Sequence, residues 1–103
     1  MKFDHRIAVV TGAAGRIGRA LAEKLCAEGV AVALADLAAD KAEAVAATLR
    51  EKGGNARAYA LDVQASESVK AMAEQVLADF GRVDILVNNA GVWLPSLLSE
   101  TSE

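Results

Sequence analysis

Apolar and polar positions divide this chain into alternating short and long segments. Short, almost wholly apolar runs are separated by longer stretches in which apolar residues recur at helical spacing. The short runs occupy 6–12, 30–36, 56–63 and 83–91, with the sequences RIAVVTG, VAVALAD, ARAYALDV and VDILVNNAG. Their apolar and β-branched content predicts buried strands, and the stretches between them predict amphipathic helices.

The predicted helices carry their own start signals and apolar stripes. Asp40 and Ser66 stand where the second and third helices should begin, so each is a candidate N-cap. Gly29 is a plausible stop for the first helix. The apolar residues at helical spacing are Ile17, Leu21 and Leu25 in the first helix, Val45 and Leu49 in the second, and Val69, Ala73, Val76, Leu77 and Phe80 in the third.

The order of these elements indicates the fold class. Apolar strands that alternate with amphipathic helices favour an α/β protein with a parallel sheet covered on both faces. Right-handed crossovers leave few topologies, and the leading one is a Rossmann-type doubly wound sheet. We expect about four strands, an incomplete version of that sheet, within one domain over residues 1–103.

Composition excludes several classes of function. The 103 residues are 53% hydrophobic and 24% charged, with a net charge of -3 and no basic patch, so a nucleic-acid partner is not expected. The single cysteine, Cys26, cannot form an internal disulfide. His5 has no cluster of further ligands beside it, so no metal site is expected. Without an apolar run long enough for a membrane span or a secretory signal, we expect a cytoplasmic protein.

The stretch VTGAAGRIG at 10–18 is the first candidate for chemistry. Gly12, Gly15 and Gly18 lie between the first strand and the first helix. Glycines at such a junction permit a tight turn, close approach to a pyrophosphate and close helix–strand packing. The free amides of the first helical turn also form an anion site. A strand–helix turn that binds nothing is the alternative.

Asp36, at the end of the second strand, strengthens the case for a dinucleotide. A carboxylate at this distance from the glycines can accept hydrogen bonds from the ribose hydroxyls of a bound dinucleotide. It would also repel a 2'-phosphate, so we expect NAD as the cofactor in preference to NADP. A helix-capping or loop aspartate is the alternative for this residue.

Four sequence motifs together resemble the short-chain dehydrogenase/reductase family: TGAAGRIG, Asp36, LDV at 61–63 and DILVNNAG at 84–91. The resemblance covers essentially the whole chain. It implies that Asn88 braces neighbouring strands. The resemblance implies the following cofactor-binding residues: Gly12, Gly15, Arg16, Ile17 and Gly18 at the pyrophosphate, Asp36 and Leu37 at the adenosine ribose, Asp62 and Val63 at the adenine, and Asn89, Ala90 and Gly91 along the cofactor.

The glycine spacing departs from the pattern of the family's classical branch. That pattern, TGxxxGxG, would place a glycine where this chain has Arg16. The observed spacing is more like the extended branch, which includes nucleotide-sugar epimerases and dehydratases. The approach GRVDILVNNAG resembles the classical branch, and the longer match favours a classical-like member.

The family's catalytic tyrosine and lysine are not found in this sequence. The tyrosine acts as general acid/base and needs a nearby cation, because its ordinary pKa is near 10. The only tyrosine is Tyr59, in the third predicted strand, and Val63 stands where a Tyr-x-x-x-Lys motif would need lysine. We therefore assign no catalytic residue. We expect the chain to be the amino-terminal, cofactor-binding part of an enzyme whose catalytic part lies beyond Glu103.

The resemblance implies an oxidoreductase that transfers a hydride between a nicotinamide cofactor and a secondary alcohol or ketone. Its small-molecule substrate would bind only to a longer chain. Two alternatives stay open: a non-catalytic module that binds a dinucleotide, and an inactive truncated product. The fourth strand would be an open sheet edge, so self-association is a further expectation.

Overall fold

The computed structural model describes residues 6–89, which form four strands and three helices in strict alternation. Each predicted strand and helix is present, which confirms the predicted order. The bounds are β1 Ile7–Thr11, α1 Arg16–Ala27, β2 Ala31–Asp36, α2 Ala39–Glu51, β3 Ala56–Ala60, α3 Ser66–Phe80 and β4 Ile85–Asn88.

The four strands form one parallel sheet in the order β3-β2-β1-β4. The chain therefore moves outward from β1 in one direction and returns to the other side of β1 for β4. This reversal is the switch point of a doubly wound sheet, where the carboxyl ends of neighbouring strands leave a crevice. The predicted Rossmann-type fold is confirmed.

Helices cover both faces of the sheet, because successive side chains of each strand point to opposite faces. β1 and β2 are apolar and buried up to their last residues, the buried Thr11 and the partly exposed Asp36, as expected for central parallel strands. One core, between the sheet and helices α1 and α2, includes Val10, Val32, Leu34, Ala22, Val45 and Leu49. The other, between the sheet and α3, includes Val9, Ala33, Tyr59, Leu61, Val69, Met72 and Val76.

Helix α1 packs through a different face from the one its large apolar residues suggest. Ile17 is 65% exposed and Leu21 36% exposed, whereas Gly18 and Ala22 are buried against the sheet. Leu25 is the one member of that stripe that packs against the core, and it is half-buried. The helix lies so close to the turn after β1 that only small residues fit beneath it.

The helix caps also differ from the prediction. The N-caps of α2 and α3 are Ala38 and Ala65, and neither side chain makes a capping hydrogen bond. Asp40 lies inside the first turn of α2, and Ser66 is the first residue of α3. The amide of Ala38 instead donates to the carboxylate of Asp36, at 2.9 Å. A residue before the helix thus performs the capping that was expected of Asp40.

The start of β4 is tied to the start of β1 by a pair of hydrogen bonds. The N–H of Asp84 donates to the carbonyl of Ile7, and the N–H of Ile7 donates to Oδ2 of Asp84, both at 2.8 Å. The Ile7 amide, together with the guanidinium of Arg82, lowers the pKa of the Asp84 carboxyl, against the opposing effect of burial. This carboxylate therefore joins strands that are far apart in sequence.

In residues 6–89 no helix is long and apolar enough to cross a membrane. The same residues contain no cluster of three metal-ligating side chains. The proposed site residues Ala90 and Gly91 lie outside the described residues, as does His5.

Candidate cofactor-binding site

A groove of about 330 Å³ lies at the carboxyl ends of β1, β2 and β3. It is positioned by the sheet order, because β2 stands between β1 and β3 and all three strands end at the same edge. Its lining combines a glycine backbone, two carboxylates and apolar side chains. The lining residues are Gly12, Asp36, Leu37, Leu61, Asp62, Val63 and Gln64.

The glycine turn between β1 and α1 needs glycine at two positions for reasons internal to the chain. Gly12 has a φ of 64°, in the left-handed region that other residues rarely adopt. A Cβ on Gly18 would lie 2.3 Å from the carbonyl oxygen of Gly12 and 2.9 Å from Cα of Ala13. Gly15 is different, because its φ of -79° suits any residue and a Cβ there would meet only the Gly12 oxygen, at 3.5 Å.

The first turn of α1 is the most positive helix start in the described chain. Its N-cap, Gly15, has no side chain to accept the free amides, and the first turn contains no acidic residue. By contrast, α2 and α3 carry Asp40 and Glu67 in their first turns. Helix α1 begins with Arg16, which makes no ion pair within residues 6–89. Free amides, the helix dipole and a cation together suit a bound anion such as a phosphate.

Asp36 joins the glycine turn to the start of α2. Its Oδ2 accepts a hydrogen bond from the N–H of Ala14 at 3.0 Å, and its Oδ1 accepts one from the N–H of Ala38 at 2.9 Å. The side chain is partly exposed and lines the groove. Each carboxylate oxygen has a second lone pair, so the group can still accept hydroxyl donors from the groove.

Two apolar side chains offer contact to a flat ring. Leu37 is 75% exposed although it is large and apolar, and it lines the groove directly after Asp36. Val63, across the groove at the end of β3, is half-buried and packs against the core beside α3. Exposed apolar groups beside polar ones are typical of small-ligand sites.

Asp62 is held by its own turn. Its Oδ1 accepts the N–H of Gln64 at 3.0 Å, and its N–H donates to the hydroxyl of Ser68 at 2.9 Å. The first contact shows that Asp62 satisfies an amide of its own turn. The exposed carboxylate still lines the groove, so both functions are compatible.

The end of β4 is bound to the glycine turn. Nδ2 of Asn89 donates to the carbonyl oxygen of Gly12 at 3.3 Å, and that oxygen also accepts the N–H of Gly15 at 3.2 Å. The neighbouring Asn88 contacts β1 instead: the hydroxyl of Thr11 lies 3.3 Å from its Oδ1. The expected bracing of strands by Asn88 is consistent with this contact.

Tyr59 is unsuited to general acid/base catalysis. It is 6% exposed, and its hydroxyl donates to Oδ2 of Asp79 on α3 at 2.6 Å. Burial raises the pKa of this phenol, and the hydrogen bond and negative charge of Asp79 raise it further. A catalytic tyrosine needs the opposite shift of its pKa, so these surroundings do not favour proton transfer by Tyr59. Cys26, half-buried beside the first core with a thiol pKa raised by burial, likewise has the environment of a structural residue.

The structure brings one group of the expected site residues together and places another group around the turn. Gly12, Asp36, Leu37, Asp62 and Val63 line the groove. Gly15, Arg16, Ile17 and Gly18 lie at the start of α1, and Asn89 contacts the turn through Gly12. Sequence reasoning missed the groove residues Leu61 and Gln64 and the amides of Ala14 and Ala38. The available signals were the LDV motif, which begins with Leu61 and precedes Gln64, the glycine stretch that contains Ala14, and the proximity of Ala38 to Asp36.

The order of the parallel strands reverses at β1, and this switch point carries a glycine turn and the acidic terminus of β2. These features define a Rossmann-type domain of the dinucleotide-binding class. Residues 6–103 match the family model described as short chain dehydrogenase, and the chain belongs to that family.

Similar proteins include dehydrogenases and an oxidoreductase, and two of them are solved structures with a bound cofactor. D-threitol dehydrogenase of Mycolicibacterium smegmatis is 48% identical over 88% of this chain. A metagenomic short-chain oxidoreductase in complex with NADP superposes with a TM-score of 0.83, at 42% identity over 89% of the chain. NAD+-bound xylitol dehydrogenase superposes with a TM-score of 0.80, at 43% identity over 84%. The chain spans 35%, 42% and 33% of these three proteins, respectively.

Proposed function

We propose that this chain binds a nicotinamide dinucleotide in the groove at the carboxyl ends of β1, β2 and β3. The observation that carries the proposal is the convergence of three separate chain segments on that groove. They are the glycine turn with Gly12, the β2 terminus with Asp36 and Leu37, and the β3 terminus with Asp62 and Val63. Each of the three segments is also one to which the sequence alone assigns a part of a dinucleotide.

The residues present suit the parts of such a cofactor. The free amides at the start of α1 and the side chain of Arg16 would hold the pyrophosphate. Asp36 would accept hydrogen bonds from the adenosine ribose, while Leu37 and Val63 would contact the adenine and Asp62 would lie beside it. Asn89, Ala90 and Gly91 would follow the cofactor toward the nicotinamide. When bound, the nicotinamide supplies hydride transfer.

We further propose that the chain prefers NAD to NADP. A 2'-phosphate on the adenosine ribose would lie against the carboxylate of Asp36, and two like charges in contact repel each other. The N–H groups of Ala14 and Ala38 already donate to the Asp36 carboxylate, so they are not free to bind a 2'-phosphate. Among the similar structures one holds NADP and another NAD+, so the preference has to come from residues of this chain.

The activity we propose for the whole protein is hydride transfer between the cofactor and a secondary alcohol or ketone. Membership of the family and the names of the similar enzymes support it. Because the hydroxyl of Tyr59 is held by Asp79, we propose that the proton transfer is carried out by residues outside this sequence. A module that binds the dinucleotide without catalysis is the alternative, and it would show NAD affinity without turnover of any alcohol in the whole protein.

The experiment compares NAD and NADP binding by the natural protein and its Asp36→Asn variant. We expect the ratio of the Kd for NADP to the Kd for NAD to fall by about tenfold or more in the variant, because one charge–charge repulsion is removed. Isothermal titration calorimetry with both cofactors measures this ratio, and thermal unfolding checks that the variant folds.

Asp40→Asn is the matched control. It removes the same charge from an exposed position in the first turn of α2, outside the groove lining. We expect its Kd ratio to equal that of the natural protein. Similar ratios for natural protein, variant and control would refute the role of Asp36, and failure of the natural protein to bind either cofactor would refute the proposed site itself.

A further inference from the structure

Strand β3 has an outer side on which no other described strand lies. It is the terminal strand in the order β3-β2-β1-β4. The carbonyl of Asn55 accepts from Val32, and the N–H of Leu61 donates to the carbonyl of Asp36, both at 2.9 Å. Backbone groups of a parallel strand alternate in direction, so the odd-numbered residues of this segment face β2. The even-numbered ones direct their N–H and C=O groups outward.

This outer side is partly accessible to another strand. The residues whose backbone groups point outward are Ala56, Ala58 and Ala60, of which Ala56 is buried, Ala58 half-buried and Ala60 exposed. Outward amides and carbonyls on such an edge are a template for edge-to-edge pairing. A second copy of the same chain presents the same edge and can pair with it about a two-fold axis.

Arg50 of α2 covers one end of this open edge. Its Nη1 donates to the outward carbonyl of Ala56 at 2.9 Å, and its Nη2 pairs with Glu43 of the same helix. The guanidinium therefore occupies an acceptor that an added strand would need. Glu43 holds the guanidinium in place from two helical turns away.

A second group of charges lies on the opposite face of the same strand. Arg57 pairs with Asp79 of α3 at 3.9 Å, and its guanidinium carbon lies 5.9 Å from the ring centre of Phe80. Arg57 and Asp79 line a shallow groove of about 170 Å³ along the strand, together with Glu43, Arg50, Ala58 and Tyr59. Charged groups thus stand on both sides of the exposed backbone.

We propose that Arg50, supported by Arg57, prevents a second copy of this chain from adding its β3 to the sheet. Pairing would displace Arg50 from the Ala56 carbonyl. It would also bring the ion pairs of both copies into one seam, where removing them from water is costly. The proposal concerns assembly and does not depend on the cofactor.

The test is the assembly state of the whole protein carrying Arg50→Met, measured by sedimentation velocity over a wide range of concentration. Methionine keeps the apolar stem but cannot donate to Ala56. We expect the variant to self-associate more strongly than the natural protein, with an association constant raised about tenfold or more. The double variant Arg50→Met with Arg57→Ala should associate more strongly. Arg50→Lys, which keeps a donor and the charge, should behave as the natural protein.

Two further variants identify the surface involved. Arg19→Ala removes one member of an exposed ion pair with Glu23 on α1, away from β3, and should leave the assembly unchanged. Ala58→Pro, added to Arg50→Met, removes an outward N–H without removing a bond to β2, and should abolish the new association. Unchanged assembly of both arginine variants, or association that survives Ala58→Pro, would overturn the proposal.

Discussion

Replacing Gly18 with alanine should destabilise the protein by about 2 kcal/mol. The new Cβ would lie 2.3 Å from the carbonyl oxygen of Gly12, whereas real Cβ contacts essentially never fall below 3.0 Å. The turn and the helix must therefore separate by about 0.7 Å. Because the clash is with backbone atoms, we place its cost at about 3 kcal/mol, the upper end of the usual cost of overpacking. Alanine in a helix gains about 1 kcal/mol over glycine, which offsets part of that cost.

Gly15→Ala provides the comparison within the same turn. Its Cβ would lie 3.5 Å from the same oxygen, and its backbone conformation is open to any residue. We expect a loss within about 1 kcal/mol, which is the usual cost of alanine at an N-cap. Urea unfolding followed by circular dichroism measures both free energies. Equal losses in the two variants would show that close packing beneath α1 is not the reason for glycine at position 18.

Two further predictions concern polar contacts far from the groove. Tyr59→Phe should lower the free energy of unfolding by about 1–2 kcal/mol, because Asp79 loses the hydrogen bond from the phenol hydroxyl. In the natural protein, the phenol of Tyr59 should not titrate near its ordinary pKa, because its pKa is raised. Urea unfolding and an alkaline absorbance titration check this, and a normal titration would contradict it. In the natural protein, the lowered pKa of Asp84 contributes stability above the unfolded carboxyl pKa of about 3.9, and this stability is lost as pH falls through the folded pKa. Asp84→Asn should remove this contribution. Unfolding curves from neutral to acid pH should therefore differ at neutral pH and converge in acid, and parallel curves would argue against this role.

The fold was predictable because its determinants are local. β1 and β2 are apolar up to their last residues, Thr11 and Asp36. A chain that alternates such strands with amphipathic helices has few ways to bury both faces of a sheet. The order of the strands was therefore predictable, although β3 and β4 end at Ala60 and Asn88, before the ends of the apolar runs at 63 and 91. Since parallel strands end at one edge, residues such as Asp36 and Asp62 could be expected to meet.

The details that were not predictable depend on distances between segments far apart in sequence. The periodicity of α1 singled out Ile17 and Leu21, but the depth at which the helix sits on the glycine turn decides that Gly18 and Ala22 are buried. The capping of α2 by Asp36 has the same origin, because it depends on how the chain bends after β2. Hydrophobic periodicity contains no information on either distance.

The carbonyl oxygen of Gly12 restricts how this sequence can be recombined with its relatives. It accepts the amide of Gly15 and the side chain of Asn89, and it leaves no room for a side chain at position 18. A chimera that exchanges the segment from β4 onward keeps this junction only if the incoming segment supplies an amide donor at position 89. Sequence divergence on the two sides of such a crossover is therefore coupled through one oxygen atom.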